Sequence, residues 1–478
     1  MRHLPGSTTG KVPNSTTAQP TNRPPDQPKQ ERDVSELSII EQYGFVASKV
    51  EEKEMTKCSM RNLFLTGLSL LMTVLPWAAI AEVSPPDKPD INAQIEDLLQ
   101  GDWGQITFNL RYRFEHVEQD GLRTANGDPI RLRLGYLTPS FSGFQAFAEF
   151  EGNTSLLIDD FNNTVNGKTE YAVIADPDEG ELNQAWLSFA TIPDTLLKGG
   201  RQKILYDNQR FIGPVGWRQM EQTFDSISLL NTSLSNFSAN IAYIWNVRTI
   251  ASKDVRMQSP LLNLTYAFPD FGSLTGYGYW LDYDDSNNSG PFQYAFSTQT
   301  IGLRFDGSTG VTENLKLLYT AEYASQADYQ DNPREYTADY YHLSVGILAP
   351  QNGSLITDMS GKIAYEVLGS DNEVSFKTPL GTNHGFNGWA DQFLTAPPAG
   401  LRDVYGILSG TFAGVKVDLV YHDFQADTGG DDYGTEFNAM LTKKIGEHYT
   451  VQAAYANYNA DEFKTDTQKF WLQFTAAF

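Results

Sequence analysis

Basic side chains set two residues apart are the first feature of this sequence able to do chemistry. Arg111 and Arg113 make one such pair, Arg131 and Arg133 a second, and Arg201 and Lys203 a third, while Arg304, Lys316, Lys362 and Lys416 stand singly. In an extended strand residues i and i+2 point to the same side, so each pair shows two cations to one face. A guanidinium is planar and can hold a carboxylate by two parallel N–H bonds. Rows of such groups would bind a molecule with repeated carboxylates, such as a polyuronate, or a small organic acid. Glu115, Glu149, Glu151, Glu322 and Glu366 lie among them. The competing reading is that these carboxylates pair with the arginines and hold a wall together.

Other chemistries find little support. His116, His342, His384, His422 and His448 fall in separate regions, and no H-E-x-x-H or G-x-S-x-G motif accompanies them. A hydrolase would need a nucleophile or an activated water beside one of them; it is kept only as an alternative, and the chain is read as no enzyme. The one cysteine, Cys58, precedes the expected cleavage site, which excludes disulfides, thiol catalysis and cysteine metal sites. The acidic runs Asp159-Asp160, Asp282-Tyr283-Asp284-Asp285 and Asp431-Asp432 lack the ligand spacing of a calcium loop. They read as solvated loop surface rather than as sites for calcium or lipopolysaccharide, and no cofactor is expected. Net charge is −24, from 35 Lys/Arg against 59 Asp/Glu, and residues 82–478 alone carry 26 against 51. Such acidity excludes a nucleic-acid partner.

The elements that must carry these cations show a period of two. Ile106, Phe108, Leu110, Tyr112 and Phe114 alternate with Thr107, Asn109, Arg111, Arg113 and Glu115; Ile130, Leu132, Leu134 and Tyr136 flank Arg131 and Arg133. Only a strand with one oily and one wet face reads this way. The pattern recurs through Leu315–Tyr323, Tyr341–Ile347 and Val417–Tyr421, and weaker segments near 181–190, 196–205, 222–229, 403–410, 434–443 and 449–458 complete a set of eighteen. Aromatic residues make up 13% of the chain, yet mean hydropathy is −0.38, far too low for a helical membrane protein. A membrane barrel reconciles the two, because half its positions face lipid and half do not.

The connections after odd strands are long, near 117–128, 152–180, 206–221, 247–259, 284–296, 326–337, 369–402, 424–433 and 459–467. Those after even strands are mostly tight, as at Pro139 to Gly143 and Thr411 to Gly414. Long external loops and short periplasmic turns mark an outer-membrane barrel. The last strand sets Phe470, Leu472, Phe474, Ala476 and the terminal Phe478 on one face, an ending similar to the signal read by the outer-membrane assembly machinery. Upstream, basic Lys57 to Arg61, apolar Leu63 to Leu75 and Ala79-Ile80-Ala81 form a signal peptide. The expected order is therefore 1–54 as a disordered extension or a start assigned too early, 55–81 signal peptide, 82–104 periplasmic lead-in with a short helix at Ile91 to Leu99, and 105–478 barrel. Peptides from 1–54 in the mass spectrum of the mature protein would refute the early-start reading.

Three stretches resemble the alginate-export family of outer-membrane barrels. The first is Gly200-Arg201-Gln202-Lys203-Ile204-Leu205-Tyr206-Asp207 with Arg210-Phe211-Ile212-Gly213, Trp217-Arg218-Gln219 and Thr223-Phe224-Asp225. The second runs from Tyr365 to Asp371 and on through Phe376, Thr378-Pro379-Leu380, His384, Phe386-Asn387-Gly388-Trp389-Ala390-Asp391, Gly400-Leu401 and Asp403. The third is Tyr421-His422-Asp423-Phe424 with Gly434-Thr435-Glu436. The resemblance implies eighteen strands and a pore lined by basic residues, and places His384 and His422 in structural positions; of an alginate-binding set it carries over only Arg201. Alternation directs Arg111, Arg113, Arg131, Arg133, Arg304, Lys316, Lys362 and Lys416 inward. The strand at 198–205 is ambiguous by hydropathy, but a mid-membrane Arg or Lys on the lipid face costs roughly 2–4 kcal/mol, so Arg201 and Lys203 are expected inward too. The chain is thus expected to be an all-β transmembrane antiparallel barrel in the bacterial outer membrane. It would pass an anionic saccharide or related acid by passive diffusion, with loops such as 152–180 and 369–402 constricting the pore; a substrate-specific uptake porin for small organic acids is the alternative. Its partners would be that anion, outer-membrane lipid and lipopolysaccharide, and the assembly machinery through Phe478.

Overall fold

The computed structural model describes residues 91–284, 295–350 and 355–478. The expected extension at 1–54, the signal peptide at 55–81 and the start of the lead-in lie outside the described residues. The first described element is the helix α1 (Ile91–Leu99). A two-residue piece, Gln100–Gly101, then folds back on 104–105.

Eighteen strands follow. The first six are β1 (Gly104–Gln119), β2 (Ala125–Leu137), β3 (Phe144–Asp160), β4 (Glu179–Phe189), β5 (Thr195–Gln202) and β6 (Thr223–Asn231). Next come β7 (Phe237–Arg248), β8 (Asp254–Phe268), β9 (Gly272–Leu281), β10 (Thr298–Thr312), β11 (Leu315–Asp328) and β12 (Thr337–Ala349). The last six are β13 (Ile356–Leu368), β14 (Leu401–Phe412), β15 (Val415–Gln425), β16 (Asp432–Ile445), β17 (Tyr449–Ala460) and β18 (Thr467–Ala477). Each strand pairs antiparallel with the next, and β18 closes on β1 through Leu110 opposite Ala476 and Tyr112 opposite Phe474. Closure leaves no strand edge to solvate in lipid. Phe478 extends the seam, its N–H and C=O bonding to Phe108 at 2.9 and 3.0 Å.

Large apolar side chains are exposed in rows on one face: Leu343 at 54%, Val345 at 55% and Ile363 at 67%. Their alternate neighbours His342, Ser344 and Ala364 are buried. The exposed face is the lipid band, and the buried one looks into the lumen. Tyr266, Phe268, Phe305 and Tyr319 form a chain of touching rings near the short turns, as interfacial girdles do. At that end α1 is tied to the barrel by the Tyr449 hydroxyl, which donates to Asn92 at 3.1 Å, and by Glu96 on His448 at 2.9 Å.

Strand number, order and alternation match the sequence reading. Several outer connections are shorter than expected, since 117–128 and 247–259 shrink to 120–124 and 249–253. β1 and β3, at 16 and 17 residues, outrun the roughly 9–11 residues a bilayer needs. Beyond the membrane both faces of a strand are wet and the hydropathy signal fades.

A candidate functional site in the lumen

The widest departure from a plain barrel begins where β5 stops at Gln202. Residues 203–222 do not rise outward; they run into the lumen and meet 369–400, which does the same. Ile212 and Leu380 form an isolated parallel β-bridge. Gly213 N–H donates to Leu380 O, and Thr382 N–H to Gln209 O, both at 2.9 Å. Val215 has φ of +53°, unfavourable for a β-branched residue; its N–H finds Thr382 Oγ1 at 3.2 Å, which helps hold it there. Phe211 packs against Tyr277 and Tyr340 at 5.3 Å and Phe376 at 5.8 Å. Phe393 sits 4.4 Å from Phe424 and 5.7 Å from Tyr458. The two loops and the inward faces of β6 to β9 and β11 to β18 thus share one hydrophobic core.

Polar groups anchor the same loops to the wall. Arg210 meets Glu366 at 2.9 Å, and Asn387 donates to Glu366 at 2.6 Å. Asp391 collects His384 at 2.6 Å, Lys469 at 2.7 Å and Arg218 at 3.0 Å. Burial alone would raise the Asp391 carboxyl, but Lys469, His384 and Arg218 hold it well below its usual range. Glu115 takes Arg218 at 3.2 Å, Asp403 takes His422 at 2.9 Å, and Glu436 accepts the Ala390 N–H at 2.9 Å. Asp176, from the loop 161–178, accepts the Gln219 N–H at 2.8 Å.

Arg111, Arg113, Arg131 and Arg133 come together as expected, on the inner face of β1 and β2 and against residues 216–219. Arg133 is paired, with Glu221 at 2.5 Å and Glu151 at 2.7 Å. Arg113 lies 4.0 Å from Asp176, hydrogen-bonds Gln473 at 2.7 Å and covers the Trp217 ring at 4.3 Å. Arg111 and Arg131 sit directly opposite each other in register. Among the described residues neither has a carboxylate within ion-pair distance. Arg131 bonds Asn109, and Arg111 donates only to main-chain carbonyls.

The other predicted cations are dispersed. Lys203 joins the cluster by pairing with Glu221. Arg304 is tied to Glu322 and Asp306, each at 2.7 Å, and belongs to β10 rather than to the cluster. Lys316 and Lys362 line a cavity of about 700 Å³ near the short turns, together with Asp306, Thr320 and Tyr319. Lys416 pairs with Asp418 at 2.8 Å.

Arg201 corrects the expectation: it faces outward. It shares a face with the exposed Leu197, while the next residue, Gln202, is 2% exposed inside. Arg201 lies opposite Asp225, on the face of Ile227, 46% exposed, and the two charges bond side by side at 2.7 and 2.9 Å. An ion pair relieves the cost of a charge on that face, which is why the rule that sent Arg201 inward failed. Its Nη1 donates to Leu182 O at 3.3 Å, beyond the point where the pairing of β4 with β5 ends.

Sequence reasoning missed the roles of Arg210, Trp217, Arg218, Asp391 and Lys469. All but Lys469 lie in the stretches that carry the family resemblance, and that was the available signal. Of the loops expected to constrict the lumen, 369–400 does so; 161–178 contributes chiefly Asp176, and 203–222 was overlooked.

A closed antiparallel barrel with an apolar outer band and a charged, loop-filled lumen is an outer-membrane β-barrel channel. Residues 102–333 match the alginate-export family. Solved structures agree in fold. OpdK of Pseudomonas aeruginosa, crystallised with vanillate, has a TM-score of 0.59 at 13% identity, covering 78% of this chain and 98% of that one. OccAB2 of Acinetobacter baumannii has a TM-score of 0.59 at 14% identity over 79% and 100%. OpdQ of Pseudomonas aeruginosa has a TM-score of 0.58 at 12% identity over 78% and 98%. No curated protein matches the sequence.

Proposed function

We propose that this channel passes carboxylate-bearing molecules, uronate-type saccharides or related small organic acids, by passive diffusion past Arg111 and Arg131. The observation that carries the reading is the facing pair itself. Two guanidiniums in register, with no carboxylate within ion-pair distance among the described residues, form a site whose natural complement is an anion. Several cationic stations let an anion enter without holding it too tightly to leave; Lys362 is a further one, while Lys203 and Arg304 are already paired with carboxylates of the wall and its loops. The packing of 203–222 against 369–400 favours monomers and short oligomers over a long polyuronate, which would need both loops to move. The vanillate bound to OpdK is a small acid of the same class, though the likeness to that protein is one of fold.

Transport rather than turnover is also favoured by the histidines. His342 reaches the Tyr405 hydroxyl at 3.1 Å, His116 reaches Asn126 at 2.8 Å and His448 the Ala477 carbonyl at 2.9 Å; with Asp391 on His384 and Asp403 on His422, each of the five described histidines has a polar partner in the wall or its loops.

The test is ion selectivity in planar bilayers, with galacturonate, oligogalacturonate and small aromatic acids as blockers. Anion selectivity should fall in Arg111→Gln and Arg131→Gln and persist in Arg201→Gln, whose side chain faces outward. Cation selectivity in the unaltered channel would sink the proposal. Block by long polyuronate but not by monomers would favour the polymer-export reading instead.

A further inference from the structure

Four consecutive main-chain carbonyls, those of Gly216, Trp217, Arg218 and Gln219, are each taken by a wall arginine. Arg111 Nη1 lies 3.1, 3.4 and 3.2 Å from the first three. Arg113 Nη2 lies 2.6 Å from the Trp217 carbonyl. Arg131 Nη1 and Arg133 Nη2 lie 3.4 and 3.3 Å from that of Gln219. The four wall arginines of β1 and β2 are thus each engaged by the protein's own backbone, Arg133 in addition to its two carboxylates.

That occupation is incomplete. Arg111 Nε, Arg131 Nε and Arg113 Nη1 are buried without a hydrogen-bond acceptor. A carbonyl is moreover a neutral acceptor, and a guanidinium bonds a carboxylate about twice as strongly as neutral groups bond each other. A carboxylate in the same place would satisfy more donors and add charge compensation. The loop that now fills it is held by Arg218 on Glu115 and Asp391, by the Gln219 N–H on Asp176, and by Trp217, which lies between the Arg113 guanidinium and the His384 ring, each at 4.3 Å.

We propose that residues 216–219 are a built-in stand-in for the permeant anion: they hold the arginine station in the resting channel, and a carboxylate ligand displaces them and so opens its own path. The proposal rests on the anion-channel reading and adds to it a competition. A ligand shifts an equilibrium only by its preference for one state over the other. Here the preference arises because the guanidiniums are free for a carboxylate only once the four carbonyls have left.

Two readouts test it on the full barrel, with galacturonate as probe and glucose as neutral control. In micelles, saturating galacturonate should shift tryptophan emission, and the shift should vanish in Trp217→Phe. In bilayers, it should raise conductance several-fold. Residues 91–478 contain no cysteine, so an Ile212→Cys, Leu380→Cys pair gives one disulfide tying the inward loop to its partner loop. The oxidised pair should lose both responses and regain them on reduction. An equal conductance rise in the oxidised pair, or unchanged Trp217 emission at saturation, would overturn the proposal. The parent reading fails by a different sign, cation selectivity measured with no galacturonate present.

Discussion

At the scale of single residues, the charges of the lumen hold its loops in place. Glu221 lies where 203–222 returns to β6 and joins Arg133 and Lys203. Burial alone would raise its carboxyl, but those two cations bring it from 4.5 down to about 2. A depressed folded-state value means the carboxylate contributes stability above 4.5 and loses it as the pH falls from 4.5 toward 2. Protease cleavage within 203–222 should therefore stay slow down to pH 4.5 and accelerate below it. In Glu221→Gln it should be faster throughout and less dependent on pH across that window, with Asp391 on Arg218 still contributing. Arg111, Arg113, Arg131 and Arg133 were legible in the sequence because each sits in a run whose apolar partners mark the phase. Arg201 was not, since Gly199 and Gly200 leave β5 without that marker.

Among the elements, the inward loops were the least readable part. Alternation reports lipid on one side of a strand and is silent about a segment packed inside a barrel. Residues 203–222 and 369–400 look polar and turn-rich, yet they bury Phe211, Phe376, Leu380 and Phe393 against wall residues far away in sequence. Phe211→Ala should cost roughly 3–5 kcal/mol of local packing, the range for a buried aromatic truncated to alanine. Because that loss falls on the loops and not on the strand ladder, the barrel should keep its heat-modifiable gel mobility while cleavage at 203–222 becomes faster. Unfolding of the whole barrel in this variant would show that loops and wall form one cooperative unit. The family-like stretches now have a physical explanation: they supply the two loops and their wall anchors, Glu366, Asp403, His422 and Glu436.

For the whole molecule, the closing seam joins the first and last strands of the barrel. Phe478 bonds to Phe108 and stacks on His448 at 4.3 Å. Its deletion removes two ladder bonds in either setting; the proposal that the assembly machinery also reads this residue adds a loss in cells only. Folded yield, read by heat-modifiable mobility, should fall further in cells than in liposomes refolded without that machinery; equal losses would reduce Phe478 to a structural clasp. Barrel size and closure were legible because eighteen alternating segments leave few alternatives. The contents of the lumen depend on long-range partners: Arg210 bonds Asn383 and Asn387, 173 and 177 residues further along. Contacts so distant in sequence are expected to form late. We predict that a newly inserted barrel is first an unfilled ring, whose conductance falls as the two loops dock. Membrane permeability would then be set by docking rather than by insertion, and a conductance steady from the moment of insertion would refute this.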